Sequence, residues 1–206
     1  MIVGSEITEE VLASYPENKD KPITKLMLAK AATEQMGMPD GKDNQFTEAI
    51  KHVNGMKEEY GNGASTLLVI ANQTGETLNH LADRSWSGDI NKYPYDPVIK
   101  NGQISVVLHT KTAMFRGSVG SIIYRSDPSQ DEFVLGFWTP YIGTNKSYIN
   151  AGKLDEWNKK SWSDIYDKLD DSGMITMQQV LSYQVSSTTG GYTSPVCIFT
   201  MRRIKE

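Results

Sequence analysis

Cysteine is nearly missing from this chain: Cys197 stands alone among 206 residues, so no internal disulfide can form. Histidine is almost as scarce, with His52, His80 and His109 only, none spaced from another His or Cys as metal ligands are. No cofactor and no metal are expected. No apolar run approaches the roughly 20 residues that a membrane-spanning helix needs, so no transmembrane segment is expected. The N-terminus lacks a basic start followed by an apolar stretch of signal length. A cytoplasmic, reducing location is the expectation. Excess positive charge is also absent. The formal net charge is −4, where a nucleic-acid binder shows a basic face, so no nucleic-acid partner is expected. Lys100, Lys111, Arg116 and Arg125 are the basic residues that a small patch would use.

The 38% apolar and 22% charged residues are those of a globular domain. The chain has two textures. Residues 1–62 read as helical. Thr8 caps Glu9–Ser14, and Thr24 caps Lys25–Met36, with Gly37 just past its end. A third stripe runs through Phe46, Ala49, Ile50, Val53, Met56 and Tyr60, with a kink or an early end expected at Gly55. After Gly61-Asn62-Gly63 the period changes from 3.6 to 2. Ser65–Asn72 is apolar on both faces, and Gln103–Lys111, Val119–Arg125 and Glu132–Thr139 alternate. One helix interrupts the strands near 161–171, opened by the capping variant Ser161-Trp162-Ser163-Asp164. Met174–Ser186 and Val196–Ile204 supply the late strands. The pattern predicts a mostly β (α+β) protein: an antiparallel β-sandwich over 63–206, with an N-terminal helical segment, 1–62, packed on it.

Several stretches carry a family resemblance over nearly the whole length: ITEEVLASYPENKDKPIT, GNGASTLLVIANQTGETL, GSVGSIIYR, WSDIYDKL and TGGYTSPV. Their order and spacing resemble the 23-kilodalton jasmonate-induced proteins of plants, which implies a stress- or hormone-responsive protein. A second resemblance, over about Ser65–Gly152, is to the β-sandwich of actinoporins and aegerolysin-like proteins. There a proline ending a strand precedes an aromatic loop that holds lipid headgroups. Pro140 and Tyr141 stand in that pattern, Tyr148 approximately, and Trp138 replaces a small polar residue of it.

Chemistry is thin. His80 with Asp83 is an acid–base pair only if the backbone brings them together, and Cys197 lies in the apolar run VCIFTM. Gly117 and Gly120 form no phosphate loop, because no Lys-Ser follows. Aromatic rings beside loops are the main signal. Tyr93, Tyr95, Trp138, Tyr141 and Tyr148 are the candidate ligand-binding residues, suited to a glycan or a lipid headgroup. The expected function is therefore non-enzymatic binding. The alternatives are an enzyme acting on a plant metabolite with His80 or His109 as base, or a regulator that contacts another protein through the N-terminal helices. Homo-oligomerisation is a further possibility left open by the sequence.

Overall fold

The computed structural model describes residues 1–39, 41 and 44–206. Helix α1 (Glu9–Ala13) is capped by the Thr8 hydroxyl, and α2 (Lys25–Met36) by Thr24. Helix α3 (Gln45–Tyr60) is capped by Asn44 and continues helical through Gly55, which lies in open space, so the early end expected there does not occur. Past α3 the alternating sequences pair into two sheets. The first has the order β1 (Ile2–Val3), β6 (Ile104–Thr110), β2 (Ser65–Gln73), β12 (Val196–Arg203), β11 (Tyr183–Thr189), β10 (Ile175–Val180), with β4 (Asp89–Ile90) also on β6. The second has the order β5 (Val98–Ile99), β3 (Thr77–Ser87), β7 (Ser118–Asp127), β8 (Glu132–Thr139), β9 (Lys146–Gly152). Helix α4 (Trp162–Asp170) lies on the outside of the second sheet.

Mostly β architecture with antiparallel-dominated sheets therefore stands, with three differences from the sequence reading. Ile2–Val3, inside the stretch read as helical, is strand β1, because its backbone pairs with Ile104 and Ser105 of β6. Strands β2 and β12 pair in parallel. Met174–Ser186 is two strands, because Leu181 turns the chain at φ +54° between β10 and β11.

Alternation explains the layers. Leu68 and Ile70 of β2 point inward to meet Ile122, Tyr124, Phe133, Leu135 and Phe137 of the opposite sheet. Leu67, Val69 and Ala71 point outward and are covered by Phe46, Ala49 and Val53 of α3, which is why β2 is buried along its full length. Outside the second sheet, Ile165 and Leu169 of α4 close over Val134 and Tyr148.

The helical segment is fastened at the end of the sandwich that holds the β2–β3 and β7–β8 turns. Gly75 (φ +76°) sits against α2 so tightly that a Cβ would come 2.1 Å from the Lys25 carbonyl. Beneath it, Glu76 pairs with Lys25 and Arg203, and Tyr183 donates to Asp131 at 3.0 Å. Burial alone would raise the Glu76 carboxyl, but hydrogen bonds from Lys25 and Ser129 and the nearby cations outweigh it and hold it below its usual range.

The candidate functional site: an apolar tip at one end of the sandwich

At the other end, three loops leave the sheets side by side: 111–117 between β6 and β7, 140–145 between β8 and β9, and 190–195 between β11 and β12. Their sequences are KTAMFRG, PYIGTN and GGYTSP, without a carboxylate. Each loop turns large apolar side chains outward. Met114 is 77% exposed, Phe115 66%, Tyr141 45%, Ile142 84% and Tyr192 79%. Phe115 holds φ +60°, a conformation that bulky residues rarely adopt, and its ring meets Tyr141 edge-on at 5.2 Å. A contiguous apolar patch of this kind is uncommon on an isolated soluble surface and marks a contact site.

The bases of these loops are fixed by buried polar groups. Thr66 shares hydrogen bonds with Ser118 at 2.7 Å and Thr139 at 2.9 Å, tying both sheets together. His109 is wholly buried between Ser118 (Nδ1, 2.8 Å) and Ser85 (Nε2, 3.0 Å). Burial penalises its charged form and lowers its pKa to about 4, against small opposing effects of Asp89 and Asp83. The Asn145 amide donates to the carbonyls of Gly190 (2.7 Å) and Tyr192 (2.8 Å), linking two of the loops. Gly117 lets the third close on them, since a Cβ there would lie 2.4 Å from the Thr139 carbonyl oxygen. The tip is thus a pre-organised surface on a rigid scaffold.

Behind the tip, on the outer side of the second sheet, Trp86, Trp138, Trp162 and Tyr166 form a half-buried aromatic wall. Trp86 and Trp138 each meet Tyr166 at 5.1 Å, and the Lys146 ammonium sits 5.1 Å over the Trp138 ring.

Of the five aromatics that the sequence singled out, the structure brings only Tyr141 to the tip. Trp138 belongs to the wall, beneath Tyr166. Tyr93 is exposed, but on the side of α3, near Met56 and Glu59. Tyr95 and Tyr148 are corrections: Tyr95 is buried in the sandwich core and stacked on His80, and Tyr148 is buried under Trp157. Both rings are largely withdrawn from solvent, and burial raises both phenol pKa values. The segments Tyr93–Tyr95 and Pro140–Tyr148 therefore do not converge. Met114, Phe115, Ile142 and Tyr192 were missed, although apolar residues inside turn-like TAMFRG and TGGYTSP were a usable signal.

The histidines do not assemble a catalytic group. His80 Nε2 lies 3.1 Å from Asp83, within ion-pair distance, yet the geometry is not that of a hydrogen bond, and the ring packs between Tyr95 and Tyr124. His109 and Cys197 are sealed in the interior, and burial drives the Cys197 thiol pKa far upward. Among the described residues no group of three or more His, Cys, Asp and Glu side chains is placed to hold a metal ion.

Residues 3–204 match a family model described as Nakanori-like protein. The chain belongs to the Nakanori-like family. Within reach of this family it is similar to the 23 kDa jasmonate-induced protein of Hordeum vulgare, 30% identical over 200 residues that make up 94% of this chain and 93% of that one. A jasmonate-induced protein homolog of Atriplex canescens is 24% identical over 147 residues, 68% of this chain and 79% of that one. The resemblance to jasmonate-induced proteins in the sequence is thus borne out. The crystal structure of the lipid binding protein Nakanori superposes with a TM-score of 0.89, covering 98% of this chain and 100% of that one at 24% identity. That likeness establishes the Nakanori-like fold for this chain.

Proposed function

We propose that this protein is a non-enzymatic binder of lipid surfaces that docks through its apolar tip. One observation carries the reading: Met114, Phe115, Tyr141, Ile142 and Tyr192, from three loops, stand exposed together at one end of a braced sandwich. Aromatic and aliphatic side chains on a convex surface gain by entering the interfacial region of a bilayer. Lys111 and Arg116 flank the inserted residues on their own loop, where cations meet lipid phosphates. No helix among the described residues is long and apolar enough to cross a membrane. The lipid binding named for Nakanori supports the same direction. The names of the curated relatives support a role in a jasmonate-induced response.

A glycan or an isolated headgroup is the second reading, favoured by the aromatic wall around Trp138, whose flat rings suit a sugar face. Flotation with vesicles of phosphatidylcholine, with and without an anionic lipid, separates the two when run beside a glycan array. Lipid docking predicts that protein rises with the vesicles while no glycan is retained. Protein that stays at the bottom of every gradient would end the lipid reading.

A further inference from the structure

A sheet edge is a row of unpaired backbone donors and acceptors, and natural proteins normally shorten, bend, charge or cover it. Three edges here follow that rule. Strands β1 and β5 have two residues each. The outer edge of β9 is covered: its Ser147 carbonyl accepts from Thr176 Oγ1 at 2.8 Å, its Ile149 carbonyl from Gln178 Nε2 at 3.1 Å, and the Ser147 N–H donates to the Gly173 carbonyl. Strand β10 does not follow it. It pairs with β11 in unbroken register over six residues, ITMQQV, and among the described residues no strand pairs with its other side. From Met174 to Gln184 the sequence holds no charge and no proline.

The register tells which groups are free. The Thr189 N–H donates to the Met174 carbonyl, so Met174, Thr176, Gln178 and Val180 spend their backbone groups on β11. Ile175, Met177 and Gln179 turn theirs to the open side. The side chains of the first two are 71% and 65% exposed. The Met177 sulfur accepts from Gln184 on the β11 side, which leaves the opposite side of β10 to its backbone groups.

We propose that two copies of this chain pair antiparallel through the open edges of β10, forming a twofold dimer. A second copy fits because the edge is self-complementary: with Met177 on the axis, Ile175 faces the partner's Gln179, and no like charges oppose each other. Each chain has one such edge, so the assembly closes at two. The geometry has a consequence that rests on the lipid reading. Ile175 lies toward the tip and Val180 toward the far end, so antiparallel pairing points the two tips in opposite directions. Such a dimer links two lipid surfaces.

Sedimentation velocity over rising concentration tests the pairing, with Met177→Lys, a change at an exposed side chain that sets two ammonium groups face to face, as the second variant. The proposal expects a concentration-dependent shift from 23.0 kDa to twice that mass in the natural chain. Only monomer is expected of Met177→Lys, with unchanged melting. A monomer at every concentration overturns the dimer and leaves the edge to an extended segment of another protein. A dimer that survives Met177→Lys also overturns it, since pairing would then run elsewhere. Vesicle turbidity reads the second step: the natural chain should cluster phosphatidylcholine–phosphatidylserine vesicles, and Met177→Lys should float with them without clustering. A dimer that floats without clustering refutes the opposed tips. A dimer that does not float contradicts the lipid reading alone.

Discussion

Replacing Ile142 by serine removes the most exposed apolar side chain of the tip, 84% accessible and outside every core cluster. Full burial of an isoleucine side chain is worth about 1.5–3 kcal/mol. A side chain at the acyl boundary gains part of that, so the change should weaken vesicle partitioning by about 1–2 kcal/mol, or roughly five- to thirty-fold. Folding stability should stay within about 0.5 kcal/mol, because Ile142 is exposed and makes none of the hydrogen bonds that brace the loops. Adding Met114→Ser and Phe115→Ser should bring the total to about 3–6 kcal/mol, with some non-additivity since Phe115 touches Tyr141. The assay is partitioning against vesicle concentration, with thermal melting in parallel. A triple variant that melts normally and partitions as the natural chain does would refute the tip.

Three further outcomes follow from the interior. His109, held neutral with a pKa near 4 against about 6.5 unfolded, binds fewer protons folded than unfolded; stability is therefore full above pH 6.5 and falls by about 3 kcal/mol towards pH 4. His109→Gln should flatten that part of a melting-versus-pH curve, and an unchanged slope would show that another group titrates. Glu76→Ala leaves Arg203 buried without its carboxylate and should cost about 3–5 kcal/mol by denaturant unfolding. Folded Glu76→Ala should still float, since the pair lies at the far end from the tip. Asn145→Ala strands two loop carbonyls and should cost about 1–3 kcal/mol while weakening flotation, because the 140–145 and 190–195 loops lose their link; flotation at natural strength would show that the link does not matter.

The layers were legible because they follow from local period. Helices α2 and α4 announced themselves by caps and apolar stripes, α3 by its stripe alone, and β2, apolar along its length, announced a strand buried on both faces. The parallel β2–β12 pair was not legible, since nothing local in VCIFTMRR specifies which neighbour it takes. The site was less legible than the fold for a related reason. Aromatics near loops were read as exposed, but exposure depends on which way a strand's alternation points. Tyr148 faces α4 and Tyr95 faces His80, facts set by tertiary packing. Met114 and Ile142 looked like minor loop residues, and only the convergence of three distant loops makes them a surface.

Insertion of the tip is tested most directly by a fluorophore placed on it. The chain offers one thiol, Cys197, which is buried and unreactive in the native state, so Ile142→Cys can be labelled selectively with an environment-sensitive dye. The same label at Glu206→Cys, beside Ser182 at the opposite end, is the reference. On adding lipid vesicles, the dye at 142 should brighten, shift to the blue and be quenched by brominated acyl chains, while the dye at 206 stays unchanged. Vesicle-bound protein whose label at 142 remains in water would contradict docking through the tip.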